Sequence, residues 1–237
     1  MTEPPDPQEA ARLSAAIASV HRRIAAAATR AGRAPDAVTL VAVSKTVPVA
    51  RLRAAVAAGL SVLGENRVQE AEEKVPLLAG VRWHLVGRLQ SNKARRAVAL
   101  FEVVETVDSL DLARRLDRVA AEAGRRLAVF FQVNVDRDPA KSGYLAEELA
   151  RDLPELLALP ALHPAGLMTV GALVAEPELA RPTFRRLAAL SAELRAGEPR
   201  LGPGLSMGMT DDFEVAVEEG ATHLRIGRAI FGERPAA

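Results

Sequence analysis

The chain has 237 residues, 49% hydrophobic and 26% charged, with a formal net charge of +1. Without cysteine it has no disulfide, thiolate metal site or cysteine nucleophile; with 3% aromatic residues and balanced charge it lacks the basic stripe and stacking platforms of a nucleic-acid binder. No apolar run approaches the roughly 20 residues of a membrane helix, and the acidic, Pro-rich start at Met1-Thr2-Glu3-Pro4-Pro5-Asp6 is unlike a signal peptide, so a soluble cytoplasmic protein is expected.

The first predicted element is a long helix from Asp6-Pro7 to about Gly32, with an N-cap aspartate, a first-turn proline and Leu13, Ile17, Val20 and Ile24 at helical spacing. An alternation follows. The run 38–43 reads as a buried parallel strand, 49–58 as a helix, 61–63 as a strand and 68–78 as a helix. Strand 83–86 leads through Ser91, a candidate N-cap, into a helix to about Ala99. Strand 101–107 precedes a helix with Leu112, Leu116, Val119 and Ala123 on one face, closed by Gly124. Strand 127–135 precedes helix 146–157, and strand 163–169 precedes a helix over about 178–195. A short strand near Leu205, a helix over 211–219 and strand 222–226 complete the series.

Eight βα units at roughly 25 residues each match a (β/α)8 TIM barrel. A doubly wound open sheet is the alternative, but no Gly-rich dinucleotide turn follows the first strand. The expectation is one α/β domain over 1–237, a (β/α)8 barrel with an extra N-terminal helix.

In such barrels the chemistry collects at the C-terminal strand ends. Those ends read Ser44-Lys45, Gly64-Glu65-Asn66, Asn134, Met168-Thr169, Ser206-Met207-Gly208 and Arg225-Ile226-Gly227-Arg228. By position alone Lys45 is a strand-end lysine whose ammonium reaches solvent. In a desolvated site its amine would be neutral often enough to condense with an aldehyde. Lys74, in a polar helical run, reads as solvated, and Lys93 and Lys141, in loops, as surface charge. Loops after the last two strands commonly build a phosphate site in this fold. Here they carry glycines, a serine hydroxyl and the start of a short helix. A lysine facing that cradle suggests a phosphate-bearing aldehyde held by an amine. Histidines 21, 84, 163 and 223 are scattered, so no metal site is expected. His84 or its neighbour Trp83 points into the barrel, and His84 reads as a satisfied core residue. Asp211-Asp212 reads as a helix cap.

These motifs resemble a known family along nearly the whole chain. Val43-Ser44-Lys45-Thr46, Gly64-Glu65-Asn66-Arg67-Val68-Gln69-Glu70, Trp83 to Lys93, Lys141-Ser142-Gly143-Tyr144 and Gly166-Leu167-Met168-Thr169 are similar to the pyridoxal-phosphate homeostasis proteins of the YggS/PROSC type. So are Leu205 to Asp212 and Arg225 to Gly232. The resemblance implies a barrel like the N-terminal domain of alanine racemase, binding pyridoxal 5′-phosphate (PLP) as an internal aldimine on Lys45. It implies that Asn66 lies near the cofactor, that Ser206 with the Gly227 and Arg228 backbone cradles the phosphate, and that Arg225 faces the pyridine nitrogen. Arg67 replaces a common tyrosine and Arg228 a common threonine.

The resemblance further implies a non-catalytic regulator in vitamin B6 homeostasis that buffers PLP or supplies it, with PLP-dependent apo-enzymes as recipients. A monomer without nucleic-acid or membrane partners is expected. The enzyme alternative is a PLP-dependent amino-acid racemase or a lysine Schiff-base aldolase. In alanine racemase the second base is a tyrosine from a C-terminal domain. This chain ends at Ala237 and holds only Tyr144, in a loop with no implied catalytic role.

Overall fold

The short apolar runs pair as parallel strands because each is buried on both faces. They are β1 (Thr39–Val43), β2 (Val62–Glu65), β3 (Arg82–Leu85), β4 (Val103–Val107), β5 (Leu127–Gln132), β6 (Leu162–Met168), β7 (Gly204–Ser206) and β8 (His223–Ile226). In this computed structural model, which describes residues 6–171 and 174–233, the strands close in sequence order. Thr39 pairs with His223 and Ala42 with Ile226 to join β1 to β8. The (β/α)8 barrel is therefore observed. The Pro-rich start at 1–5 and the chain end at 234–237 lie outside the described residues.

Helices α1 (Pro7–Arg30), α2 (Val49–Ala57), α3 (Val68–Lys74), α4 (Ala94–Leu100), α5 (Leu110–Glu122), α6 (Ala146–Leu156), α7 (Arg181–Gly197), α8 (Phe213–Glu218) and α9 (Arg228–Phe231) cover the sheet. The extra helix α1 starts at Asp6, whose carboxylate accepts from the Gln8 N–H at 3.0 Å. Its predicted stripe of Leu13, Ile17, Val20 and Ile24 is buried. Arg23 and Arg30 tie it to Glu214 and Glu218 of α8. Among the described residues no helix is long and apolar enough to cross a membrane.

Two helix starts differ from expectation. Ser91 opens a 3-10 turn, Ser91–Lys93, and α4 begins only at Ala94. The Lys93 N–H bonds back to Gln90 O at 2.9 Å, so the tight turn satisfies the backbone and Ser91 caps nothing. Nor do Asp211 and Asp212 cap α8. Asp212 is buried and accepts from the Met209 N–H at 2.6 Å, closing its own loop, and Asp211 pairs with Arg228.

The barrel interior is polar at its upper layer. Alternation along β3 sends His84 inward and Trp83 toward the helices, both buried. His84 Nδ1 lies 2.6 Å from Glu105 Oε1, so the core histidine is partnered at that nitrogen, while its Nε2 is buried without a hydrogen bond. The other Glu105 oxygen accepts from Ser206 Oγ at 2.6 Å, and Ser206 Oγ accepts from Arg225 Nη1 at 2.5 Å. Arg225 Nη2 donates to Thr169 O at 2.7 Å. His223 packs 6.0 Å from the His84 ring and edge-on to Phe130 at 4.9 Å.

Burial alone would raise the Glu105 carboxyl, but the hydrogen bond and charge of His84, with the charge of Arg225, pull it down to about 2. Desolvation pushes His223 from 6.5 down to about 4, against the opposing pull of Glu105. At both groups the unfolded chain binds protons at a higher pH than the folded chain, so acid favours unfolding. The denaturation midpoint of the ligand-free protein should therefore fall as pH drops from 6.5 toward 4, through His223, and again from 4.5 toward 2, through Glu105. His223→Phe should remove the first decline, on the order of 3 kcal/mol, and leave the second. A flat urea midpoint between those first two pH values in the parent protein would show that His223 is not held neutral.

Candidate functional site

Strand polarity puts the C-terminal ends of all eight strands at one mouth of the barrel. Lys45 leaves β1 half-buried, followed by Thr46 at φ 65°, a rare left-handed conformation for a residue with a branched Cβ. Lys45 lines a small cavity of about 60 Å³ together with Val43, Gly227, Arg228 and Phe231. The amine and the last strand's glycine turn, far apart in sequence, are thus brought together. Gly227 itself sits under β1: a Cβ there would lie 3.3 Å from Val43 O.

Arg225 and Ser206 form a second group beneath the mouth. Arg225 is buried, and its two terminal nitrogens are committed to Ser206 and Thr169, leaving Nε. The Ser206 hydroxyl is spent on Glu105 and Arg225 inside the barrel. Arg228 is half-exposed, and its guanidinium is held by Asp211 and by Glu233 at 3.4 Å, so toward the cavity it offers its backbone.

Asn66 stands apart from both groups. It lines a wider cleft of about 990 Å³, with Arg67, Arg88, Ser91, Lys93 and Asp108, on the β2 to β4 side of the mouth. Gly87 makes this placement possible, because a Cβ there would fall 2.3 Å from Asn66 O. Lys93 is half-buried against this cleft. Lys141 is not a surface charge. Its ammonium is buried, 3.6 Å from Asp138, because its loop folds back on itself through the Asp138 O to Lys141 N–H bond.

Lys74 departs furthest from expectation. Its side chain is 7% exposed and its ammonium donates to Ser44 O, Glu65 Oε1 and Glu70 Oε1, each at 2.7 Å. A helical run rich in Glu hides this burial, since the oxygens that receive Lys74 come from β1, β2 and the preceding turn of α3. Glu65 is fully buried, and desolvation pushes its carboxyl up against the opposing hydrogen bonds from Lys74 and Ser44.

Sequence reasoning also missed Glu105 and the pairing of His84 with His223. The signal was present: a carboxylate in the apolar strand Val103-Val104-Glu105-Thr106-Val107 demands a buried partner. Which partner it finds depends on barrel closure, which brings β3, β7 and β8 around it.

The donor set suits PLP. An amine at a strand exit can take an aldehyde, small residues and backbone at the β8 turn can take a phosphate, and a buried guanidinium below can face a ring nitrogen.

Comparison with known proteins places the chain in a family. Residues 16–235 match the model of the alanine racemase N-terminal domain. The Pyridoxal phosphate homeostasis protein of Pseudomonas aeruginosa is 44% identical over 220 residues, covering 92% of this chain and 94% of that one. The structure of PipY from Synechococcus elongatus with PLP bound superposes with a TM-score of 0.83 at 39% identity, covering 93% of this chain and all of that one. Alanine racemase from Clostridium difficile shares the fold, with a TM-score of 0.70 at 14% identity over 91% of this chain and 60% of that one. The 44% identity over almost the whole of both chains makes this protein a member of the pyridoxal phosphate homeostasis protein family, built on the alanine racemase N-terminal barrel.

Proposed function

We propose that this chain binds PLP at the barrel mouth and serves intracellular PLP homeostasis, buffering the cofactor or supplying it to PLP-dependent apo-enzymes in the cytoplasm, without robust catalysis. The observation that carries the reading is Lys45 sharing one cavity with Gly227 and Arg228 at the β8 turn. The PLP-bound relative and the names of the homologues support it. Bound there, PLP supplies an aldehyde for amines and a ring whose electron demand depends on the protonation of its nitrogen.

Lys45 supplies the amine that holds the aldehyde carbon. Gly227 and the Arg228 backbone take the phosphate, and Asn66 contacts the cofactor from the wider cleft. Arg225 faces the ring nitrogen, with Ser206 fixing the guanidinium. A guanidinium donates and keeps its proton, so the nitrogen opposite stays unprotonated. That leaves a weak electron sink, suited to holding the cofactor rather than to carbanion chemistry. Among the described residues no tyrosine lines the cavity that Lys45 shares with the β8 turn. The chain's one tyrosine, Tyr144, has its hydroxyl buried and unpartnered, and burial pushes its acidity down further.

Borohydride reduction of the loaded protein followed by mass spectrometry should place the pyridoxyl group on Lys45, and Lys45→Ala should fold normally but lose the visible imine absorbance. A label on Lys93 or Lys141 would move the site. Arg225→Ala should weaken PLP retention roughly tenfold to a hundredfold, the value of one or two charge-assisted bonds, in an equilibrium titration. Unchanged affinity would put the ring nitrogen elsewhere. Incubated with L-alanine in D₂O, the loaded protein should exchange the α-proton far below metabolic rates, since loss of one acid–base group alone removes about 10²–10⁴-fold. Fast, Lys45-dependent exchange with D-alanine formation would restore the racemase reading.

A further inference from the structure

The peptide groups on either side of Lys45 are not held by the barrel ladder alone. The carbonyl of the 44–45 peptide accepts from Lys74 Nζ at 2.7 Å. The N–H of the 45–46 peptide donates to Glu70 Oε1 at 2.5 Å. That same Glu70 oxygen accepts from Lys74, one turn away on α3, and Lys74 also donates to Glu65 Oε1. Glu65 in turn accepts from Ser44 Oγ at 2.6 Å. Three oxygens take the three donors that an ammonium has, so Lys74 has none left for another ligand.

We propose that Lys74 is a positioning residue for Lys45: its ammonium, with Glu65 and Glu70, pins both flanking peptides so that the Lys45 amine points across the mouth toward the Gly227 turn. The inference rests on Lys45 being the attachment point. Three features support it. Thr46 adopts φ 65°, which a free loop would relax, and Glu70 holds the N–H of that strained residue. Lys74 is nearly fully buried, so its bonds to Ser44 O and Glu65 face no competition from water. The clamp touches no residue of the β8 turn or of the Arg225 group, so it can act on attachment while leaving phosphate and ring contacts in place. The clamp separates two amines by role: Lys74 as fixed scaffold and Lys45 as the amine that reacts.

The test separates attachment from holding. In full-length Lys74→Met, the rate at which PLP becomes borohydride-trappable on Lys45 should fall roughly tenfold to a hundredfold, the cost of a misplaced reacting group. Binding of pyridoxine 5′-phosphate, which has the ring and phosphate but no aldehyde, should stay near the parent value. If both fall together, or neither does in a protein that melts cooperatively, the positioning role is overturned. Should Lys74→Met fail to fold, Glu70→Ala against Glu70→Gln decides. Attachment should slow with alanine and recover with glutamine, whose amide oxygen still accepts the Thr46 N–H; equal rates in the two variants would overturn the proposal. A parent protein that carries no label on Lys45 would instead overturn the attachment reading itself.

Discussion

One carboxylate, Glu105, occupies a place in the barrel interior where this fold ordinarily stacks branched apolar side chains. An ion moved out of water costs several kcal/mol even after relaxation, and only well-placed partners offset that cost. Here both oxygens are satisfied, one by His84 from β3 and one by Ser206 from β7, with Arg225 from β8 next in line. The chain of bonds crosses the barrel, so strands that share no ladder are tied through its centre. Arg225 is therefore not a mobile surface cation. Its guanidinium is fixed in place by the same charge that the interior has to neutralise, and the ring-facing end of the proposed PLP site inherits that rigidity.

A second buried charge cluster sits at the ends of β1 and β2, around Lys74, Glu65 and Glu70. Arg225 from β8 donates to the Ser206 hydroxyl, and Lys74 from α3 donates to the Ser44 backbone carbonyl. Each serine hydroxyl in turn donates to a buried carboxylate, Ser206 to Glu105 and Ser44 to Glu65. The floor of the mouth is accordingly stiff on both sides. The open volume lies instead between the exits of β2, β3 and β4, where Arg67 and Arg88 are exposed.

What could be read from the sequence was whatever depends on periodicity and punctuation. Eight apolar runs, spaced by amphipathic stretches, fixed the barrel, and Gly124 closed α5 at φ 62° as its position suggested. Lys45 could be singled out because lysine is rare in this chain and strand ends are where this fold puts its chemistry. Lys74 could not, because the run Gln69 to Lys74 has a solvated look and its partners lie 30 residues away at Ser44 and 9 away at Glu65. Burial of a charge is a property of what folds over it. Helix caps failed for a related reason: at Ser91 a tight turn already satisfies the backbone, and the Asp212 carboxylate is taken by the Met209 N–H of its own loop.

Holding a reactive cofactor and using it place opposite demands on these two clusters. A catalyst needs groups that gain and lose protons at the reacting carbon, which requires residues with solvent access or a relay to it. Three titratable groups buried around the barrel are already engaged or enclosed. Glu105 is bound to His84 and Ser206, Lys74 to three oxygens, and Tyr144 is buried away from solvent. Glu105 and Lys74 are bound by these partners as parts of the scaffold. The proposed reading follows from that distribution. Lys45 is the amine set at the exit, the phosphate end is met by backbone, and everything beneath is arranged to stay as it is.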